Sequence, residues 1–293
     1  MKIMSRISPV LSALLIWLAA TTCEAQTATC SNWTVFTVSG QPTWASGINR
    51  WSTVVGFVND QNQHAHGFAR YSDGSIKTYM APNAINTFFS RSNSQGVKVG
   101  YFDSNANPVR REGLVVTSSG STPVNYPGSN FSTNLEGVNY SSTIVGFTED
   151  QVFTDNGFKL TNGVFSRIHY PNSANTWAYA ISDSGVIVGT YQNTSTGKYH
   201  GFKLQNGVYK TVDAPNATGL GTHVYDINGS GVIAGTYVHN SVNFGFIDVS
   251  GVFKSIMAPN ASDTIVTGIN GNGYVTGNAM FSSGRKAFTA HCQ

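Results

Sequence analysis

The chain repeats itself six times. A short phrase built on Val-Gly-aromatic, loosened to Val-Gly-Thr, Ala-Gly-Thr and Thr-Gly-Asn in the last three copies, recurs at Gly56, Gly100, Gly146, Gly189, Gly235 and Gly277, at intervals of 44, 46, 43, 46 and 42 residues. Each copy reads roughly Thr-x-x-x-x-Ile-Asn-x-x-Gly-x-Ile-Val-Gly-x-Tyr, then a polar loop, His-Gly-Phe, Asn-Gly-Val-Tyr and Pro-Asn. A unit this short, made of brief β-branched and aromatic runs, cannot bury its own faces. It must stack on copies of itself.

Copy four divides most clearly into four strands, 176–182, 186–191, 199–204 and 208–213. The turns between the first two strands read Ser182-Asp183-Ser184-Gly185, Asn228-Gly229-Ser230-Gly231 and Asn270-Gly271-Asn272-Gly273 in copies four to six. There an Asn, Asp or Ser opens the turn through its side chain and Gly supplies a positive φ. Between the last two strands, Asp73-Gly74, Asn162-Gly163 and Asn206-Gly207 are two-residue hairpin signals. The prolines Pro82, Pro171, Pro215 and Pro259 end the fourth strand, because proline cannot donate to a ladder. The expected fold is an all-β, six-bladed β-propeller with four-stranded blades.

The sixth copy stops after its third strand, at Cys292-Gln293. The segment Trp33–Val38 precedes the first copy and matches a fourth strand, so the N-terminal strand is expected to complete the last blade and close the ring. Cys30 and Cys292 then meet where the other blades have a hairpin turn, and a Cys30–Cys292 disulfide is expected.

The N-terminus carries Lys2 and Arg6, an apolar run over 7–20 and the small-residue exit Cys23-Glu24-Ala25. This reads as a secretory signal peptide over 1–25, leaving one domain over 26–293. A lipid anchor on Cys23 is the weaker alternative, because Thr22 and Ala20 fit it poorly. The expected protein is therefore secreted, extracellular or periplasmic, without a membrane span, and a monomer. Charged residues are 11 % and the net charge is +3 from scattered bases, which gives no nucleic-acid patch. No cofactor or metal is expected. His64-x-His66 lacks a third ligand at a usable spacing, and His66 and His200 share one repeat column, which favours a structural role.

Gly47-Ile48-Asn49 with Val54-Val55-Gly56, Asp226-Ile227-Asn228 with Ile233-Ala234-Gly235, and the Gly-Phe pairs after His66 and His200 resemble the bacterial extracellular HAF repeat. That family pairs Ile-Asn-x-x-Gly-x-Val-Val-Gly with His-Ala-Phe, and the resemblance covers about Thr43 to Phe288. The chain departs from it at the middle of the triplet, with Gly67, Gly157, Gly201 and Gly245 in place of Ala; only Ala287-Phe288 keeps it, after Lys286. The resemblance implies an exported, propeller-like bacterial protein. It implies no activity and no catalytic residues.

Departures from the repeat mark the candidate site. One column of the first strand reads Gly47, Arg91, Gly137, Ala180, Asp226 and Gly268, so Arg91 and Asp226 replace small residues in copies that face each other across a six-membered ring. They form either a cross-channel ion pair or a polar binding site. The preceding column holds Ser46, Ser90, Glu136, Tyr179, Tyr225 and Thr267, and farther up stand Trp44, Phe88, Asn134, Trp177, His223 and Ile265. The candidate binding residues are Arg91, Glu136, Trp177, Tyr179, His223, Tyr225 and Asp226. The invariant Thr43, Thr87, Thr133, Thr176, Thr222 and Thr264 are expected to satisfy loop backbone rather than a ligand.

No nucleophile elbow, phosphate loop or calcium loop occurs. The favoured reading is a secreted binding module for a glycan, cell-surface component or protein partner at one mouth of the ring. The alternatives are an extracellular polysaccharide- or ester-cleaving enzyme with its site at that mouth, and a structural matrix component.

Overall fold

The computed structural model describes residues 26–129, 132–149 and 154–293, so the signal-peptide and Cys23 expectations lie outside the described residues. Every regular element among the described residues is a β-strand. Six inner strands, Thr43–Ile48, Ala84–Ser92, Ser132–Val138, Ser173–Ile181, Thr222–Ile227 and Asp263–Ile269, each begin an antiparallel run that steps outward. Each inner strand contacts the next, and the last contacts the first. The result is an all-β propeller, with sheets around a common axis.

Five hydrogen-bonded sheets make this ring. The largest has eight strands, from Ala84–Ser92 to Val164–Ile168, and its halves join through one parallel pair, Ser132 opposite Arg111. The outer strand of the last sheet is Cys30–Phe36, antiparallel to Gly284–Cys292. Cys30 sits directly opposite Cys292, inside the ladder and not ahead of it, with a Cα–Cα distance of 4.1 Å and a disulfide between them. Reciprocal Thr29–Gln293 backbone bonds flank the pair. Ahead of the clasp, Gln26–Thr27 pairs in parallel with Val252–Ile256 of the neighbouring sheet, a contact that the repeat pattern gave no sign of. The N-terminal segment thus straps the outer edges of two sheets together.

The cores lie between neighbouring sheets. Phe68, Phe158, Phe202 and Phe246 from the Gly-Phe pairs and Phe288 after Ala287 are fully buried, with Leu114 in the second copy. Burying each contributes about 2–3 kcal/mol. Ala287 of the last sheet packs with Val38, Ala45 and Phe68, which seals the ring across the junction of the first and last copies.

Each inner strand carries a β-bulge at the same place. The register slips between Ala45 and Gly47, Phe89 and Arg91, Leu135 and Gly137, Ala178 and Ala180, Val224 and Asp226, and Val266 and Gly268. A bulge inserts one unpaired residue and re-aims its side chain. It also explains the repeated Val-Gly phrase. A methyl group on Gly56, Gly100, Gly146, Gly189, Gly235 or Gly277 would overlap the carbonyl oxygen of Trp44, Phe88, Asn134, Trp177, His223 or Ile265 on the bulged strand. Glycine recurs because the second strand passes against the backbone of the first.

Side chains fasten the ends of the inner strands. The hydroxyls of Thr43, Thr87, Thr133, Thr176, Thr222 and Thr264 accept the N–H groups of Val38, Ala81, Tyr126, Tyr170, Ala214 and Ala258, at 2.8–3.1 Å. The structural reading of this column holds. At the opposite ends, Asn49 accepts from Trp51 and Thr53 and donates to the Asn93 carbonyl. Asn93 donates to Asn139, Asn139 to Ser182, Asn228 to Asn270, and Asn270 back to Asn49. Each of these side chains closes its own turn and grips the next.

Candidate functional site

The bulges build a cavity. Their six extra residues, Ser46, Ser90, Glu136, Tyr179, Tyr225 and Thr267, all line one space of about 160 Å³ on the axis, with Phe57, Phe88, Phe89, Tyr101 and Arg91. The column read from the sequence thus converges, because each bulge turns its residue inward.

The walls are aromatic. Trp44 stacks on Phe57 at 5.1 Å, Phe57 meets Phe88 edge-on at 4.9 Å, and Phe88 stacks on Tyr101 at 4.8 Å. The Arg111 guanidinium lies 4.7 Å from the Tyr101 ring and is held by Asp103 at 3.0 Å. On the other side Tyr179 packs on Tyr225 at 5.2 Å, and Tyr225 lies parallel to His223 at 6.0 Å. His223 then meets Tyr199 at 4.8 Å, and Tyr199 meets Trp177 at 5.7 Å. Trp177 donates its indole N–H to Asp155 at 2.8 Å. His223 and Trp177 therefore stand behind the tyrosines and do not line the cavity.

Glu136 is the acidic side chain that lines this space. Desolvation among the rings pushes its carboxyl up to about 7, against a hydrogen bond with Ser90 and the fields of Arg91 and Arg111. Burial likewise pushes the Tyr225 hydroxyl up to about 12 and raises those of Tyr179 and Tyr101, so all three remain neutral donors. Burial drives His223 down to about 4, so it is a neutral ring near pH 7.

Arg91 forms the floor. Its guanidinium donates to the carbonyls of Ser46 and Tyr225, and its Nε lies 3.4 Å from Asp226 Oδ1. Asp226 also accepts the N–H groups of Ile227 at 2.9 Å and Ile269 at 2.8 Å. A methyl group on Gly47 would collide with Arg91, and one on Gly268 would meet the Gly47 backbone at 3.1 Å. The small residues of that column leave the axis open for one large side chain. The cross-axis ion pair is therefore present, and it divides the channel. Arg91 borders both halves, whereas Asp226 lines the second cavity, on the side of the turns that follow the inner strands. The expected convergence of Asp226 with Glu136 does not occur, because Asp226 is turned away to cap backbone and hold Arg91.

Phe57 and Tyr101 were not among the residues picked out from the sequence. They follow the repeated glycine of copies one and two, with Phe147 in copy three. Copies four to six have Thr190, Thr236 and Asn278 there, which bond the backbone of Val224, Val266 and Ala45 on the next inner strand. The switch from hydrogen-bonding to aromatic side chains in this column marks the aromatic wall. His66 and His200 pair with Asp60 at 3.2 Å and Asp213 at 2.7 Å. Among the described residues no group of three His, Cys, Asp or Glu side chains is placed to hold a metal ion, and no helix is long and apolar enough to cross a membrane.

No protein-family model matches the chain, and no characterised protein matches it by sequence. Solved structures match by shape. A mutant of AofleA from Arthrobotrys oligospora is 12 % identical with a TM-score of 0.58, over 92 % of this chain and 89 % of that one. The Aleuria aurantia lectin in complex with Fucα1-6GlcNAc is 10 % identical with a TM-score of 0.55, over 89 % and 96 %. The gluconolactonase XC5397 from Xanthomonas campestris is 13 % identical with a TM-score of 0.52, over 92 % and 97 %. At these identities the likeness establishes the propeller fold and nothing finer.

Proposed function

We propose that this chain is a secreted binding module of the HAF-repeat type, a six-bladed propeller whose eight-stranded sheet counts as two blades, which recognises a glycan or other cell-surface component at the mouth above Arg91. Residues 1–25 are its cleaved leader, and the extracellular setting agrees with the Cys30–Cys292 disulfide. One observation carries the reading: the six bulge residues converge on an aromatic-walled space whose polar groups are hydroxyls, a single carboxyl and the Arg91 guanidinium at its floor. Aromatic faces with a few convergent polar groups suit a polyhydroxylated ligand. The lectin among the structural neighbours makes carbohydrate a reasonable first class to test.

Hydrolysis of a polysaccharide or ester is supported less. Glu136 has the raised carboxyl a general acid needs. Glycoside cleavage ordinarily needs a second carboxylate facing it, and Asp226 is committed to Arg91 and two backbone N–H groups. A structural matrix role would suit an axis filled by side chains, whereas two cavities flank Arg91.

A glycan array probed with the wild type and with Ser46→Tyr, which fills the cavity, tests the proposal. Signals that Ser46→Tyr abolishes at an unchanged melting temperature support it. An empty array, or signals indifferent to Ser46→Tyr, overturns it.

A further inference from the structure

The opposite mouth holds a second cavity, larger than the first at about 400 Å³, on the side of the turns that follow the inner strands. That volume lies within the range of small-molecule sites, roughly 300–1,000 Å³, whereas the bulge-lined cavity falls below it. Two large aromatic side chains are substantially exposed among the described residues, Trp51 at 61 % and Tyr140 at 56 %, and both stand at the rim of this cavity.

Folding gives no reason to display them. In copies five and six the positions equivalent to Trp51 are Ser230 and Asn272, and those equivalent to Tyr140 are Gly229 and Gly271, so Asn228 and Asn270 close their turns without a large side chain beside them. Trp51 is nevertheless held in place. Its indole N–H donates to the Ser94 carbonyl at 3.0 Å, and its backbone N–H to Asn49 at 3.0 Å. The Tyr140 backbone N–H donates to Asp183 Oδ1 at 2.7 Å. Both rings are thus carried on turns pinned from the neighbouring copy, and an aromatic face fixed in advance costs little entropy when a ligand stacks on it.

The charges of the cavity balance. Arg50, Arg91, Asp183 and Asp226 all line it; Arg91 and Asp226 already neutralise each other, and the Arg50 guanidinium lies 5.6 Å from the Trp51 ring. Nothing there selects an anion or a cation. Flat exposed rings, carboxamide and backbone carbonyl groups, and zero net charge are the features that recognise an uncharged sugar.

We infer that this second mouth is a separate binding site for a neutral oligosaccharide, which stacks on Trp51 and Tyr140 and is independent of the Glu136 cavity.

The test follows tryptophan fluorescence and calorimetry of the mature, disulfide-bonded protein titrated with neutral β-glucan, mannan, xylan and galactan oligosaccharides. At least one is expected to bind, with affinity falling about tenfold or more in Trp51→Ala and in Tyr140→Ala, as for loss of a central aromatic contact. Trp51→Phe, which keeps a ring, is expected to restore most of it. Ser46→Tyr fills the other cavity and is expected to leave this binding in place. Binding lost in Ser46→Tyr but kept in Trp51→Ala would place the sugar at the Glu136 mouth and overturn this inference while supporting that proposal. Failure of every oligosaccharide to bind would also overturn it, and so would affinity unchanged in both aromatic variants of native melting temperature.

Discussion

Arg91 crosses the axis to Asp226, which lies 135 positions further along the chain, and the two meet at 3.4 Å where four other copies have Gly or Ala. Both side chains are about nine-tenths buried. Desolvating two charges is offset only if each is fully partnered. Here Asp226 has two backbone N–H groups besides its guanidinium, whereas Arg91 donates to two backbone carbonyls and leaves its Nε, 3.4 Å from Asp226, buried without a hydrogen bond.

Removing one partner leaves an uncompensated buried charge. Asp226→Asn is therefore expected to cost about 3–5 kcal/mol, or on the order of 10 °C in melting temperature for a domain of this size. Adding Arg91→Met is expected to recover part of that loss. Differential scanning calorimetry of the wild type and both variants checks it; an Asp226→Asn melting point within a degree or two of wild type would contradict the paired geometry.

The strand glycines make a sharper contrast. Gly189→Ala sets a methyl group against the Trp177 carbonyl, so it is expected to prevent folding or to cost more than about 4 kcal/mol. Gly271→Ala meets nothing within 4 Å and is expected to be neutral. Soluble yield and urea midpoints of the two variants decide the matter; similar behaviour would mean that the bulged strands do not approach as described.

The two titrating groups near the mouth act in opposite senses. Folding raises Glu136 from 4.5 to about 7, so it favours the folded state below pH 4.5 and this contribution is lost as pH rises to about 7. Folding lowers His223 from 6.5 to about 4, so its contribution is present above pH 6.5 and is lost as pH falls to about 4. Each is worth ~2–3 kcal/mol at most, and in the wild type they largely cancel between pH 4.5 and 6.5. Relative to wild type, Glu136→Gln is expected to make stability climb with pH over that window. His223→Phe is expected to make it fall. Urea midpoints at half-unit pH steps measure both slopes; parallel curves for all three proteins would refute the assignment.

The Cys30–Cys292 bond replaces a hairpin turn with a cross-link that spans nearly the whole domain. Paired replacement of both cysteines by serine is expected to cost about 2–5 kcal/mol. Proteolysis is then expected to begin at the Gln26–Phe36 strap, which leaves the edges of two sheets. Limited digestion with mass spectrometry reads this, and first cuts elsewhere at unchanged stability would argue against the clasp.

Much of this was legible in the sequence, because the repeat supplied its own alignment. The strand order, the closing strand, the Cys30–Cys292 pairing and the role of the Thr column follow from reading copies against one another, and the Arg91–Asp226 ion pair was one of the two readings that this comparison left open. The bulge was not legible, since it leaves the spacing of the column unchanged while rotating it. Without it, Glu136 and Asp226 looked like neighbours at one mouth, yet they open onto opposite sides of Arg91. The Gln26–Thr27 strap was equally hidden, because it occurs once and has no copy to be compared with.

The central claim is that the mouth above Arg91 takes a ligand. Fluorine NMR of 3-fluorotyrosine-labelled protein, titrated with the oligosaccharides that register on the array, tests it most directly. The account predicts shifts at Tyr101, Tyr179 and Tyr225 that vanish in Ser46→Tyr. Shifts at Tyr140 without any at these three, or no shift at any tyrosine, would contradict it.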